Sequence, residues 1–166
     1  MPAYFFDSSA LVKRYHRELG TSWVQAVCEP RTHPPLHISE LAHVEVVAAL
    51  RRVGRIDGLH VSAVDAMIRR FERHIALSAP TRSIPLYRIV SGASSVFALA
   101  AALCNQYWRV DPSPLRSLDA IQLASALAAR AALAGELTFV TADARLTAIA
   151  HLEGFVTVNP ALAPLP

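Results

Sequence analysis

Leu137-Thr-Phe-Val-Thr-Ala-Asp-Ala-Arg-Leu146 is the stretch on which the fold turns. Leu137 to Thr141 is apolar, aromatic and β-branched, the composition of a half-buried or buried strand. From about Asp143 to Leu152 the pattern becomes helical, Gly154 supplies a stop, and Phe155-Val-Thr-Val158 reads as a further strand. The same alternation appears upstream. Tyr4-Phe-Phe is a short strand ending at Asp7-Ser-Ser, and Ala10, Leu11 and Val12 open a mixed polar segment with helical character. Pro34-Pro-Leu-His-Ile-Ser is a second extended run, with Ser39 placed to cap a helix reaching about Val53. Gly54 and Gly58 punctuate the chain before an amphipathic helix over Leu59–Ala76, which carries Val61, Val64, Met67, Ile68, Phe71 and Ile75 at helical spacing. Ile84 to Val90 reads as a strand, Ser94 to Tyr107 as a helix closed by Asp111-Pro-Ser-Pro114, and Ser117 as the cap of a helix through Arg130. Strands alternating with helices predict an α/β fold with a doubly wound, parallel sheet of four to five strands.

With 166 residues, 53% of them hydrophobic, and a mean hydropathy of +0.32, the chain suits one domain with a sizeable core. That domain is expected over residues 1–159, followed by an extended proline-rich tail at 160–166. Cys28 and Cys104 form no CxxC pair, so neither a disulfide framework nor a zinc ribbon is indicated. The cysteine usage points to a reducing cytoplasm, and Asp7 interrupts the first apolar run with no basic leader before it, which points away from a signal peptide. Ile89 to Trp108 lacks charge and has the length of a membrane span. Its Ser, Asn and Gln side chains and its Ala content favour a buried core helix, with no membrane association. The net charge is +3, and all but one of the 16 basic residues are Arg. A polyanionic partner is therefore admissible, although a bias toward Arg codons accounts for the count equally well.

In open parallel sheets ligands bind beyond the carboxyl ends of the strands, and Asp7 and Asp143 fall there. Asp119 sits in the first turn behind Ser117. Singly, each of these acids also reads as a helix cap or first-turn acid. Glu45 differs, because its helical neighbours Leu41, Ala42, Ala48 and Ala49 are apolar. An ionised carboxylate in such a place needs a partner, a proton or a metal. Were the four to converge, carboxylates about 5 Å apart would repel by roughly 3 kcal/mol at an effective dielectric near 20. A hard cation, Mg2+ or Mn2+, would relieve that repulsion, and such ions support phosphodiester hydrolysis by lowering the pKa of bound water.

Four segments also carry a resemblance: Phe5-Phe-Asp-Ser-Ser-Ala-Leu-Val-Lys13, Ile38-Ser-Glu-Leu-Ala-His-Val-Glu-Val-Val-Ala-Ala-Leu50, Leu118-Asp-Ala-Ile-Gln-Leu-Ala-Ser-Ala-Leu127 and Phe139-Val-Thr-Ala-Asp-Ala-Arg-Leu146. In this order they resemble the acidic motifs of PIN-domain ribonucleases, most closely the VapC toxins of toxin–antitoxin systems. The resemblance spans nearly the whole chain and implies a PIN-like three-layer α/β/α domain. It implies an acidic Mg2+ or Mn2+ site of Asp7, Glu45, Asp119 and Asp143, supported by the hydroxyls of Thr141 and Ser9. It further implies an endoribonuclease that cuts loops of tRNA or rRNA, a VapB-type antitoxin that silences it, and a homodimer. Lys13, Arg14, Arg116 and Arg145 lie near the acids in sequence and are candidates to hold RNA phosphates.

Other chemistries find less support. There is no HExxH or Cys/His ligand run, no GxSxG around Ser8 or Ser9, and no glycine-rich phosphate loop. A phosphotransfer receiver needs a lysine after a late strand, and Lys13 is the sole lysine. The alternatives left open are a catalytically silent RNA- or antitoxin-binding module of the same fold and a housekeeping nuclease.

Overall fold

Phe5 and Phe6 set the layering. Successive side chains of a strand point to opposite faces, and both rings are completely buried, each in a different core. The computed structural model describes residues 3–28, 36–78, 86–110, 114–133 and 135–166. The proline stretch at 30–35, the start of the strand expected from 84, and most of the 111–114 stretch lie outside them.

Five short strands form one all-parallel sheet: β1 (Ala3–Phe6), β2 (Leu36–Ser39), β3 (Tyr87–Val90), β4 (Leu137–Val140) and β5 (Val156–Val158), in the spatial order β3-β2-β1-β4-β5. The register pairs Phe6 with Ile38 on one side and with Val140 on the other. The seven helices of the described residues are α1 (Ser8–Leu11, continued by a 3-10 turn at Val12–Arg14), α2 (Thr21–Val27), α3 (Ala42–Ile56), α4 (Val61–Ala76), α5 (Ser94–Gln106), α6 (Ser117–Ala131) and α7 (Ala144–Leu152). Phe6, Ile38 and Val140 pack beneath α1 to α4 with Leu11, Val46, Leu50 and Phe71. Phe5, Leu137 and Phe139 pack beneath α6 and α7 with Leu123, Leu146 and Ile149. The expected three-layer α/β/α architecture is borne out. The chain winds from β1 outward to β3, then crosses to β4 on the other side of β1. The β1–β4 boundary is thus the switch point at which such sheets open a crevice.

Several local expectations are corrected. Ser39 does not cap α3: it is still paired with Val90 in the sheet, and Glu40 and Leu41 intervene before the helix begins at Ala42. Ser117 is the first residue of α6 rather than its cap, a position held by Arg116. The uncharged stretch 89–108 is not a fully buried helix. In α5, Val96, Ala100 and Leu103 are buried with the core under α6, while Phe97 on the outer side is 51% exposed. Among the described residues no helix is long and apolar enough to cross a membrane. The tail opens with a turn instead of an extended run, since the Leu162 and Ala163 amides both donate to the Asn159 carbonyl. Gly20, at φ +94°, lies against it so closely that a Cβ would stand 2.8 Å from the Pro160 carbonyl carbon.

Candidate active site

Asp7 leaves β1 at the switch point. Its amide donates to the Val140 carbonyl at 3.0 Å, which extends the β1–β4 ladder by one bond and fixes the residue at the sheet edge. Its carboxylate caps α1. Oδ2 accepts from Ser9 Oγ at 2.5 Å, from Thr141 Oγ1 at 2.8 Å and from the Ser9 amide at 3.3 Å. Among the described residues no hydrogen bond reaches Oδ1. Asp7 is buried, and burial pushes its carboxyl up to about 6. The Ser9 and Thr141 hydrogen bonds act against that shift, and the charges of Glu45 and Asp119 add to it.

Ser9 and Thr141 link β1 to β4. The Ala142 amide donates to Ser9 Oγ at 3.0 Å and the Asp143 amide to Thr141 Oγ1 at 3.1 Å, so the hydroxyls that hold Asp7 also shape the turn leading to Asp143. Asp143 caps α7: Oδ1 accepts from the Arg145 and Leu146 amides at 2.8 and 3.2 Å, and Oδ2 pairs with the Arg145 guanidinium at 3.1 Å. Burial raises the Asp143 carboxyl, but the bonds from Arg145 and Leu146 and the Arg145 charge outweigh it, and the carboxyl lies below its ordinary value. Asp119, in the first turn of α6, is shifted up by burial and by the Asp143 charge, against the pull of Arg116 and Arg145.

Glu45 is not mid-helix on an apolar face. Because α3 starts at Ala42, it lies in the first turn and is half-buried. Its Oε2 accepts from Ser8 Oγ at 2.6 Å and from Gln122 Nε2, which also donates to Ser8 Oγ at 2.7 Å. Ser8 and Gln122 are the site residues that sequence reading passed over. The available signal was a lone amide one turn beyond Asp119 in an otherwise apolar helix.

The four acids lie toward one edge of the sheet within electrostatic reach of one another: Asp7 feels Glu45 and Asp119, and Asp119 feels Glu45 and Asp143. Their donor set is all oxygen, which suits a hard divalent cation that keeps several waters. The arrangement is open rather than caged, for among the described residues no three acid, His or Cys side chains are grouped closely enough to hold a metal ion. Arg116 is exposed at the start of α6 and Arg145 is partly exposed beside Asp143, both within electrostatic reach of Asp119.

Lys13 and Arg14 are not phosphate-facing. Both are buried: Lys13 pairs with Glu18 at 3.1 Å, and Arg14 donates to the Tyr87 hydroxyl at 2.5 Å and to the Cys28 carbonyl at 3.2 Å. Arg14 thereby ties the turn after α1 to the start of β3 and to the end of α2. His43 is exposed and makes an edge-to-face contact with Phe71.

No family model matches the chain, and no curated protein matches it either. Among solved structures, it is similar to a toxin-antitoxin complex from Klebsiella pneumoniae, with a TM-score of 0.60 and 18% sequence identity, over 95% of this chain and 98% of that one. At that identity the likeness is one of fold.

Proposed function

We propose that this chain is a divalent-metal-dependent endoribonuclease of the PIN type, acting as the toxin of a toxin–antitoxin pair. The observation that carries the reading is the convergence of Asp7, Glu45, Asp119 and Asp143 at the switch point of an all-parallel sheet. Nothing basic is bonded to Asp7 or Glu45 among the described residues, so their charge awaits compensation from a ligand. Asp7, Glu45 and Asp119 would hold Mg2+ or Mn2+, which when bound supplies water of lowered pKa and screens the phosphodiester charge. Ser9 and Thr141 keep the Asp7 carboxylate from rotating, and the α7 cap does the same for Asp143. Arg116 and Arg145 offer RNA phosphates a positive rim. The fold shared with a protein from a toxin-antitoxin complex supports an antitoxin as partner; a VapB-type antitoxin and a homodimer belong to the same reading.

The test is incubation of the purified, antitoxin-free chain with labelled RNA, including a tRNA pool, in Mg2+, Mn2+ or EDTA, alongside Asp7→Asn. Cleavage that requires both metal and Asp7 is the expected outcome. Full activity in Asp7→Asn would place the chemistry elsewhere. The open grouping of the acids favours a second reading, a silent binding module. That reading gains if RNA binds equally well in EDTA and is never cut.

A further inference from the structure

Gln122 is 1% exposed in the middle of an apolar helix, and its amide is only half used. Nε2 donates to Ser8 Oγ and to Glu45 Oε2, while Oε1 is buried without a hydrogen-bond partner among the described residues. Rotating the amide would not help, because it would set a carbonyl against the carboxylate and take the Nε2 donor from both Glu45 Oε2 and Ser8 Oγ. An unsatisfied buried carbonyl destabilises the fold. Leucine or methionine would fill the position in α6 without that penalty and with at least equal helix propensity. Packing therefore gives no reason for an amide here; the carboxylate does.

The bonds run to a single atom. Ser8 from α1 and Gln122 from α6 both donate to Oε2 of Glu45 on α3, and Gln122 also donates to Ser8. Three helices from both layers thus meet on one oxygen, and among the described residues no hydrogen bond reaches the other oxygen of Glu45. We infer that Gln122 is a positioning residue, which with Ser8 clamps Glu45 through Oε2 so that Oε1 is presented, preorganised, to a divalent cation. This rests on the nuclease reading above. Its physical basis is that Mg2+ demands near-ideal ligand geometry, so a first-turn Glu with free rotamers is a poorer ligand than one held from behind.

The experiment uses the full chain and Gln122→Met, which keeps the volume and removes the donor. Mn2+ binding to the RNA-free protein is measured by calorimetry, unfolding in EDTA by circular dichroism, and cleavage by kcat and KM for RNA. The expected result is Mn2+ binding weaker by roughly 10 to 100-fold. The unfolding midpoint should be unchanged or higher, and kcat should fall while the RNA KM stays put. Ser8→Ala added to Gln122→Met should cost less than the product of the two single effects, because both donors serve one oxygen. A purely structural Gln122 would lower the unfolding midpoint and leave the Mn2+ affinity of the folded fraction intact, which overturns the inference. If the wild type binds Mn2+ and cuts RNA while Gln122→Met matches it in both, the positioning role alone is wrong. If the wild type takes up no Mn2+, the nuclease reading fails and this inference with it.

Discussion

Thr141 Oγ1 donates a 2.8 Å hydrogen bond to Oδ2 of Asp7, 134 positions earlier in the chain. The same hydroxyl accepts from the Asp143 amide, so one buried side chain joins the first acid to the last across the switch point. Replacing it by valine keeps the shape but leaves the Asp7 oxygen and the Asp143 amide each short of a partner. Thr141→Val should lower stability by about 1–3 kcal/mol and reduce cleavage, whereas Thr141→Ser should retain most of both. Urea unfolding of the pair checks this, and equal stability of the two variants would deny the hydroxyl its role.

On the proposed nuclease reading, Asp7 trades stability for function. Its ionised carboxylate is buried and faces the charges of Glu45 and Asp119. In EDTA at pH 8, Asp7→Asn should be more stable than the wild type by on the order of 1–3 kcal/mol, since the amide accepts the same hydrogen bonds without the charge. Denaturant melts in EDTA and in excess Mn2+ separate the two contributions. A variant less stable than the wild type in EDTA would mean that the Ser9 and Thr141 bonds outweigh the repulsion.

How much of this was legible depended on whether the deciding contacts were local. The strands ending at Phe6 and Val140 declare themselves by composition, and with them the edge that carries Asp7 and Asp143. Ser39 did not, because serine suits both a helix cap and a strand end, and it is pairing with Val90, 51 positions on, that keeps it in the sheet. That shift moved Glu45 into the first turn. Helix α2 was hidden for a similar reason: it is short, and it is anchored by Trp23 against Tyr4 and Phe6, contacts with a distant strand. For α5, composition showed an apolar helix but not that α6 covers only one side of it.

Arg14 and Arg145 make the same point as a prediction. Adjacent to the acidic motifs in sequence, they behave oppositely in the fold. Arg14→Met takes a donor from the Tyr87 hydroxyl and from the Cys28 carbonyl and should destabilise by about 2–4 kcal/mol, with RNA affinity of the folded protein unchanged. Arg145→Ala should leave stability nearly unchanged. It should weaken RNA binding and reduce the salt dependence of log K by roughly 0.7 if one phosphate contact is lost. Filter binding across a salt series decides; an Arg14 variant that is stable but RNA-blind would reverse the assignment.

The network around Arg14 also carries a pH dependence. Arginine can only donate, so Tyr87 accepts from Arg14. The Tyr87 and Tyr15 hydroxyls share a hydrogen bond at 2.6 Å, and Tyr15 shares one with His74 Nδ1 at 2.9 Å. A relay in which each hydroxyl donates onward from Arg14 to His74 needs an unprotonated Nδ1. Burial lowers its pKa to about 4, and Arg14, Arg70 and Arg73 oppose a further positive charge. The folded pKa thus lies below the ordinary value of about 6.5, so between the two the unfolded chain takes up a proton that the folded one refuses. The stabilisation is complete above pH 6.5 and is lost as pH falls toward 4. His74→Gln can accept from Tyr15 without titrating. The wild-type stability should therefore fall relative to this variant between pH 7 and pH 4, by about 2 kcal/mol after discounting for partial exposure. Asp7, raised toward 6, changes wild-type stability in the opposite sense over an overlapping range, losing it as pH rises. That contribution is common to both proteins and cancels in the difference. Urea unfolding at pH 4, 5, 6 and 7 measures it, and parallel stability curves for the two proteins would show that the chain of hydroxyls does not depend on a neutral His74.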